Sequence, residues 1–485
     1  MDWTIHIQPE GRKLSAGQGA NLLEALRAEG LAPDAPCGGN GKCGKCKVLV
    51  DGAEVLACQV TVDRDMTVTL PKQAGLNVLQ EGIAATPRVS PGKDGLLLAF
   101  DIGTTSAVCF LLDGKTGQEL GKSSMLNPQT VFGADVISRI QRALAGELDA
   151  QTQAIRQGMT QLITQVTDTP EAVTLVSVVA NPAMQQLFLG ISPENLAGVP
   201  FAPVLTRSEL VSCREYLPIC PNAQLLIVPD ISGYIGADTM GCVLSTGLYQ
   251  KEALTLMVDI GTNGEMVLGN KQRMIACSTA AGPALEGANI QFGMRGTEGA
   301  IDHVRVENGR ICCSVLGGGE ARGICGSGLI DAVAVGLNLG LLNKRGRILT
   351  DDHTLHLTQQ VYLTQDDIRQ VQMAKGAIYA GIFLMAQQLG VRVGDIQKVQ
   401  LAGAFGSFLD PKSACRIGLL PEELLDRIEA VGNAAGSGAK LLACDDILLP
   451  LTDQLTGKIQ FLELASLPEF SRTFAKSMCF REEGL

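Results

Sequence analysis

Apolar and polar positions alternate over residues 4–8, the period-two pattern of a half-buried strand. Over 20–30 the apolar positions recur at helical spacing, and Gly30 closes the run. Two more short strands are predicted at 47–50 and 66–70. The periodicity then lapses. Residues 73–94 carry Pro87, Pro91 and Gly92 and read as a linker with room for one short helical turn. From Leu96 the character changes. The continuous apolar run LLLAF predicts a buried strand, and DIGTTSAVCFLLDGKTGQEL continues as a strand, a turn at Asp113–Gly114 and a return strand. The plan recurs in TLMVDIGTNGEMVLGNKQRMIA. The aspartates after the two first strands, Asp101 and Asp259, are 259 − 101 = 158 residues apart. Helical spacing marks 131–145, 155–166, 328–342 and 368–389. Strands followed by helices, twice over, predict two duplicated α/β lobes. The expected division is 1–73 for the first block, 74–95 for the linker, and 96–255 and 256–485 for the lobes.

Composition narrows the function classes. The 485 residues suffice for about three domains. A net charge of −11 argues against a partner bound through its phosphate backbone, so no nucleic acid is expected. The start MDWTIHIQPEGRKLS lacks the basic and apolar regions of a signal peptide. No apolar stretch approaches the ~20 residues of a membrane span. A cytoplasmic protein without a membrane partner is the expectation. In a reducing compartment, its 15 cysteines point to metal binding or catalysis rather than disulfides.

Four of them, Cys37, Cys43, Cys46 and Cys58, are spaced C-x5-C-x2-C-x11-C in PCGGNGKCGKCKVLV and VLACQV. Four thiolates complete the coordination of a 2Fe–2S cluster. A loop around such a cluster must turn tightly with N–H groups facing sulfide, which the interleaved glycines permit. A structural zinc and a Cys43–Cys46 dithiol pair are the alternatives. The order of strand, helix, cysteine loop and strand favours a β-grasp 2Fe–2S ferredoxin domain, and the block resembles one.

The hairpins DIGTT and DIGTNGE share a design: a buried strand ends at an aspartate, and a glycine turn with hydroxyl groups follows. Gly103, Thr104 and Thr105, with Gly261, Thr262, Asn263 and Gly264, are placed to face phosphate oxygens. Asp101 and Asp259 are placed to hold Mg²⁺, usually through water. Further glycine turns open helices. LAGAFGSFLD contributes Gly403 and Gly406, and VGNAAGSGAK contributes Gly432, Asn433 and Gly436 against adenine and ribose. The run ending in ICGSGLIDAVA offers Gly326 and Ser327 at a helix N-terminus, with close helix packing as the alternative. No P-loop pattern occurs.

Together these segments resemble the superfamily of acetate and sugar kinases, heat-shock chaperones and actin. The hairpins match its two phosphate motifs, GAFGSF its connecting motif and VGNAAGSG its adenosine motif. The resemblance implies ATP and Mg²⁺ between two ribonuclease-H-like lobes. With the ferredoxin block, and with CSTAAGPALEGANIQFGMRG, ARGICGSGLIDA and LAGAFGSFLDP, the whole chain is similar to the reductive activators of corrinoid-dependent methyltransferases. That resemblance implies an ATP-dependent, corrinoid-reducing oxidoreductase with ATPase activity. It would pass one electron from the cluster to a protein-bound corrinoid, Co(II) to Co(I). A low-potential donor would supply the electron, and a homodimer is among the arrangements of related ATPases. A plant-type cluster lies near about −400 mV, and each ~59 mV uphill costs ~1.4 kcal/mol, which ATP offsets. A ferredoxin block moving on the 73–94 tether is the expected mechanism. On the residues alone, other readings stay open: a small-molecule kinase with a redox-sensing domain, an activator of a radical-type dehydratase, or a nucleotide-binding scaffold.

Within CSTAAGP, Ser278 or Thr279 is read as approaching the cobalt face, against a purely local backbone role for Ser278. Glu286 is read as positioning water or Mg²⁺, against a solvated helix-start carboxylate. The four histidines show no convincing partner sets, and the other cysteines read as structural thiols. Asn181–Pro182 is expected to close a turn near the cleft.

Overall fold

The computed structural model describes residues 2–9, 11–29, 31–33, 35, 39, 41, 44–71, 81–83, 87–219, 221–261 and 263–481. Cys37, Cys43, Cys220 and Thr262 lie outside them, as do 72–80 and 84–86 of the expected linker.

The alternating N-terminal run forms the strand Asp2–Gln8. Its sheet is ordered Lys13–Gly17, Asp2–Gln8, Met66–Thr69, Lys47–Val50, Ala53–Leu56. Asp2–Gln8 pairs parallel with Met66–Thr69, and the flanking pairs are antiparallel. Helix Leu22–Ala28 buries Leu22, Leu23 and Leu26 completely in one cluster with Ile5, Val48 and Val68. Each such leucine contributes roughly 1.5–3 kcal/mol. Asn21 caps the helix by accepting the Leu23 and Glu24 N–H groups. Its Nδ2 also donates to the Cys58 carbonyl at 2.9 Å, which ties the helix start to the last cysteine of the cluster motif.

Two larger sheets follow. The first is ordered Glu209–Ser212, Gln224–Ile227, Val173–Ala180, Leu96–Ile102, Ser106–Asp113, Glu119–Leu126. The second is ordered Ile428–Gly432, Lys398–Ala402, Thr255–Ile260, Gly264–Gly269, Met274–Thr279, Ile459–Phe461. In each, an antiparallel three-strand meander is extended by a strand parallel to its first member. The duplication read around Asp101 and Asp259 is thus repeated in the strand pairing.

Some elements differ from expectation. The helix predicted at 131–145 is broken. A 3-10 turn, Pro128–Phe132, precedes the helix Val136–Arg142, which starts where Asp135 accepts the Ser138 N–H. Gly146, at φ 104°, then interrupts the chain before Leu148–Val166, which absorbs the predicted 155–166. The helices predicted at 328–342 and 368–389 are observed as Gly326–Asn338 and Gln365–Leu389.

Two helices join the lobes. Ala237–Thr246 and Ala434–Cys444 share one buried cluster with Phe110 and Val179 of the first lobe and Met257 and Ala276 of the second. They meet backbone to backbone: a Cβ on Gly438 would lie 2.2 Å from the Gly241 carbonyl oxygen. Among the described residues, no helix is long and apolar enough to cross a membrane.

Candidate functional site

In the first block, Cys46 is buried and Cys58 half-buried, and neither is in a disulfide. Their thiols lie close enough to perturb each other, and the Ala57 N–H donates to the Cys46 carbonyl at 2.8 Å. Burial raises the Cys46 thiol above its ordinary range, and Cys58 adds to the rise. The loop bends onto this pair, since a Cβ on Gly39 would lie 3.8 Å from Cys58 Cβ. Adjacent thiols under a glycine turn supply two of the four thiolates that a 2Fe–2S cluster needs. Cys37 and Cys43 belong to the same loop but lie outside the described residues.

Between the lobes is a cleft of about 400 Å³. Asp101 and Asp259 enter it from the ends of their strands, Asp238 from the first turn of Ala237–Thr246, and Glu265 from Gly264–Gly269. Burial pushes Asp101 and Asp259 up to about 7 and Asp238 up to about 6. Glu265 is raised well above its ordinary value for the same reason. For Asp101, Asp259 and Glu265, neighbouring carboxylates add to the effect. Asp302, on the same wall, has a buried Oδ1 with no hydrogen-bond partner. Such a cluster ionises readily only beside a cation, and carboxylates with room for water suit Mg²⁺. Among the described lining residues, Arg295 supplies the only positive charge.

Hydrogen bonds cross the cleft. Asn433 Nδ2 donates to Asp101 Oδ2 at 2.9 Å, and Thr105 Oγ1 donates to Glu286 Oε1 at 3.2 Å. Behind the first glycine turn, the fully buried Arg139 donates to the Thr104 and Gly133 carbonyls. Burial lowers its guanidinium to about 9. Asn181 caps the helix Pro182–Leu189 and donates to Thr104 Oγ1 at 3.2 Å. On the opposite wall, Gly403 has φ +80°, and a Cβ there would lie 2.5 Å from Asp259 Oδ1. Phe405, Phe408, Leu285 and Met294 make an apolar face suited to a purine.

From the first hairpin, Asp101, Gly103, Thr104 and Thr105 line the cleft; from the second, Asp259, Gly261 and Asn263 do. Glu286, Gly326, Ser327, Gly403 and Asn433 join them. Five expected residues do not line it. Ser278 lies one strand away and donates to Glu265 Oε1 at 3.3 Å, so it reaches the cleft only through that carboxylate. Gly264 packs against Thr279, Gly406 against Leu401, Gly436 against Phe110, and Gly432 under the Glu81 carbonyl. VGNAAGSG opens the interlobe helix and lines the cleft through Asn433, Ala434 and Ala435, while GAFGSF lines it through Gly403, Phe405 and Phe408. Both are glycine turns opening helices, so only their packing separates them.

Sequence reasoning missed Asp238, Glu265, Arg139 and Arg295. Glu265 stands inside the second motif, whereas Asp238, the second residue of its helix, carries no local signal. His303 and His356 pair with Asp331 and Asp352 at 2.9 and 2.7 Å, and no group of three metal-ligating side chains occurs among the described residues. Cys242, read as a structural thiol, lies 3.9 Å from Asp259 Oδ2.

Comparison with known proteins places this geometry. Residues 5–67 match the family model of the 2Fe-2S iron-sulfur cluster binding domain, and 96–251 that of the RACo middle region. Residues 253–485 match the C-terminal domain of RACo, the ASKHA domain. The corrinoid activation enzyme RamQ of Eubacterium limosum is 37% identical over 417 residues, covering 79% of this chain and 70% of that protein. The chain belongs to the RACo family of reductive activators. Another relative in the family's range is the [Co(II) methylated amine-specific corrinoid protein] reductase of Methanosarcina barkeri, 26% identical over 80% of this chain and 77% of that protein. A solved reductive activator for corrinoid,iron-sulfur protein superposes with a TM-score of 0.73 at 26% identity, covering 100% of this chain and 99% of that one. As a RACo-family protein the chain carries a 2Fe–2S domain and an actin-like ATPase, with ATP, Mg²⁺ and the cluster as its cofactors.

Proposed function

We propose that this RACo-family chain is an ATP-dependent enzyme that returns a protein-bound corrinoid from Co(II) to Co(I), one electron at a time. The observation that carries the reading is the joining, in one chain, of an adjacent thiol pair at Cys46 and Cys58 to a cleft lined by Asp101, Asp238, Asp259 and Glu265. A 2Fe–2S cluster, when bound, supplies a low-potential one-electron carrier. Cys37, Cys43, Cys46 and Cys58 would hold it. In the cleft, Asp101 and Asp259 would hold Mg²⁺. Backbone N–H groups of Thr104, Thr105 and Asn263 would donate to phosphate oxygens, and Arg295 would offset charge on the same phosphates. Glu286, held by Thr105, ties nucleotide contacts in one lobe to the other. The corrinoid partner is a methyl-carrying protein, and a separate low-potential protein reloads the cluster. We also propose the division 1–73, 74–95, 96–255 and 256–485, and a cytoplasmic location.

The test is direct. Reduced protein is mixed with a cob(II)amide-containing methyl carrier, with and without Mg–ATP, and the visible spectrum is followed. A Co(I) band that appears only with Mg–ATP is the expected result. Its absence with every corrinoid protein encoded nearby would overturn the reading.

A further inference from the structure

Lys45 stands between Gly44 and the expected cluster ligand Cys46, and its side chain reaches the second lobe. Its Nζ donates to the Gly293 carbonyl at 2.7 Å and approaches the Ile290 carbonyl at 3.4 Å. Both carbonyls belong to the second lobe. An ammonium offers three donors, and a charge-assisted bond to a carbonyl is stronger than a neutral one.

The receiving loop is stiff. The Gly287 N–H donates to Ala284, the Gly293 N–H to Ile290 and the Met294 N–H to Ile324, at 3.0, 3.0 and 2.9 Å. The Gln291 N–H donates to Asp367 Oδ1 at 2.8 Å. A Cβ on Gly293 would lie 2.1 Å from the Gly287 carbonyl oxygen, so the two ends of the loop press together. Each end also faces the cleft. Glu286 leads into the loop and bonds Thr105 of the first lobe, while Met294 and Arg295 leave it along the cleft wall. A stiff loop moves as one piece. A phosphate chain that draws on Arg295 or displaces Thr105 from Glu286 therefore shifts the carbonyl pair on the loop's other side.

We propose that Lys45 is a positioning residue that latches the cluster loop to the carbonyls of Ile290 and Gly293, and that a nucleoside triphosphate in the cleft changes the hold of this latch. The cleft then decides when the cluster is docked on the ATPase and when it is free to meet a partner. This rests on the reading of the cleft as a nucleotide site.

Hydrogen–deuterium exchange on the full-length, cluster-loaded protein tests it, with and without Mg²⁺ and β,γ-imido-ATP. Calorimetry first establishes that the nucleotide binds. In the unsubstituted protein, nucleotide should change exchange at amides 47–59 by about tenfold, the scale of one charge-assisted bond. In Lys45→Met, exchange at 47–59 should be the same with and without nucleotide, while 290–295 still respond. Lys45→Arg, which keeps the donors, should restore the response. Cluster absorbance verifies that each variant retains a folded block, and Lys45→Ala replaces Lys45→Met should the latter lose it. An unchanged nucleotide response at 47–59 without the Lys45 donor would overturn the latch. So would a bound nucleotide that leaves 47–59 unaffected in the unsubstituted protein. Failure of the nucleotide to bind would overturn the reading of the cleft, and the latch with it.

Discussion

Asp101 sits half-buried in the cleft wall with Asp238 and Asp259 nearby, and its carboxylate accepts from the Asn433 amide. Its acidity follows from that setting. An unfolded aspartate titrates near about 3.9, whereas the folded one titrates at about 7. Between those values the folded state binds the extra proton. Its contribution to stability is therefore full below about pH 4 and is lost as the pH rises through about 7. Asp101→Asn keeps an acceptor for Asn433 but removes the charge. The metal-free variant should melt higher than the unsubstituted protein at pH 8, and the gap should close toward pH 4. Its Mg²⁺-dependent ATP hydrolysis should fall by about a hundredfold or more. Thermal melts across pH, with phosphate release, check both. Asp101 and Asp259 were legible because strand, aspartate and glycine turn are contiguous. Asp238 and Arg139 were not, because each acts on a residue far from it in the chain: Asp238 repels Asp101 and Asp259, and Arg139 holds Thr104.

The interlobe helices show what patterning alone leaves out. Ala237–Thr246 and Ala434–Cys444 are buried on nearly every side, so they carry no polar stripe to set their period against. The 131–145 segment failed for the opposite reason: its apolar spacing is helical, but Gly133 and the Asp135 cap start the helix late. Strands with long apolar runs, and the body of the long helix Gln365–Leu389, were readable from spacing, while its Thr364–Asp367 capping box starts it three residues earlier than the spacing marked. Packing at Gly438 makes a prediction of its own. Gly438→Ala places a methyl against the Gly241 carbonyl and should cost about 1–3 kcal/mol in urea unfolding. Because Asn433 caps the same helix, the substitution should also weaken nucleotide binding by calorimetry.

At the scale of the molecule, three units were legible from the lapse of periodicity after residue 70 and from the repeat of 158 residues. How they touch was not, since interfaces such as Lys45 on Gly293 have no local signature. Shortening the chain within 74–80 should slow corrinoid reduction and leave ATP hydrolysis nearly unchanged. Parallel loss of both rates would argue against a moving ferredoxin block. One contact limits that motion. Glu81 accepts the Asn433 N–H at 2.8 Å, and the Ile83 N–H donates to Ser437 Oγ at 3.1 Å, so the far end of the tether is stitched to the interlobe helix. The leash from Leu70 to that stitch has about a dozen links and cannot reach beyond about 40 Å. Under the proposed motion, a cluster on so short a span would meet a corrinoid docked on the ATPase at an effective concentration in the millimolar range, and the ferredoxin block would then need little affinity of its own for the corrinoid protein.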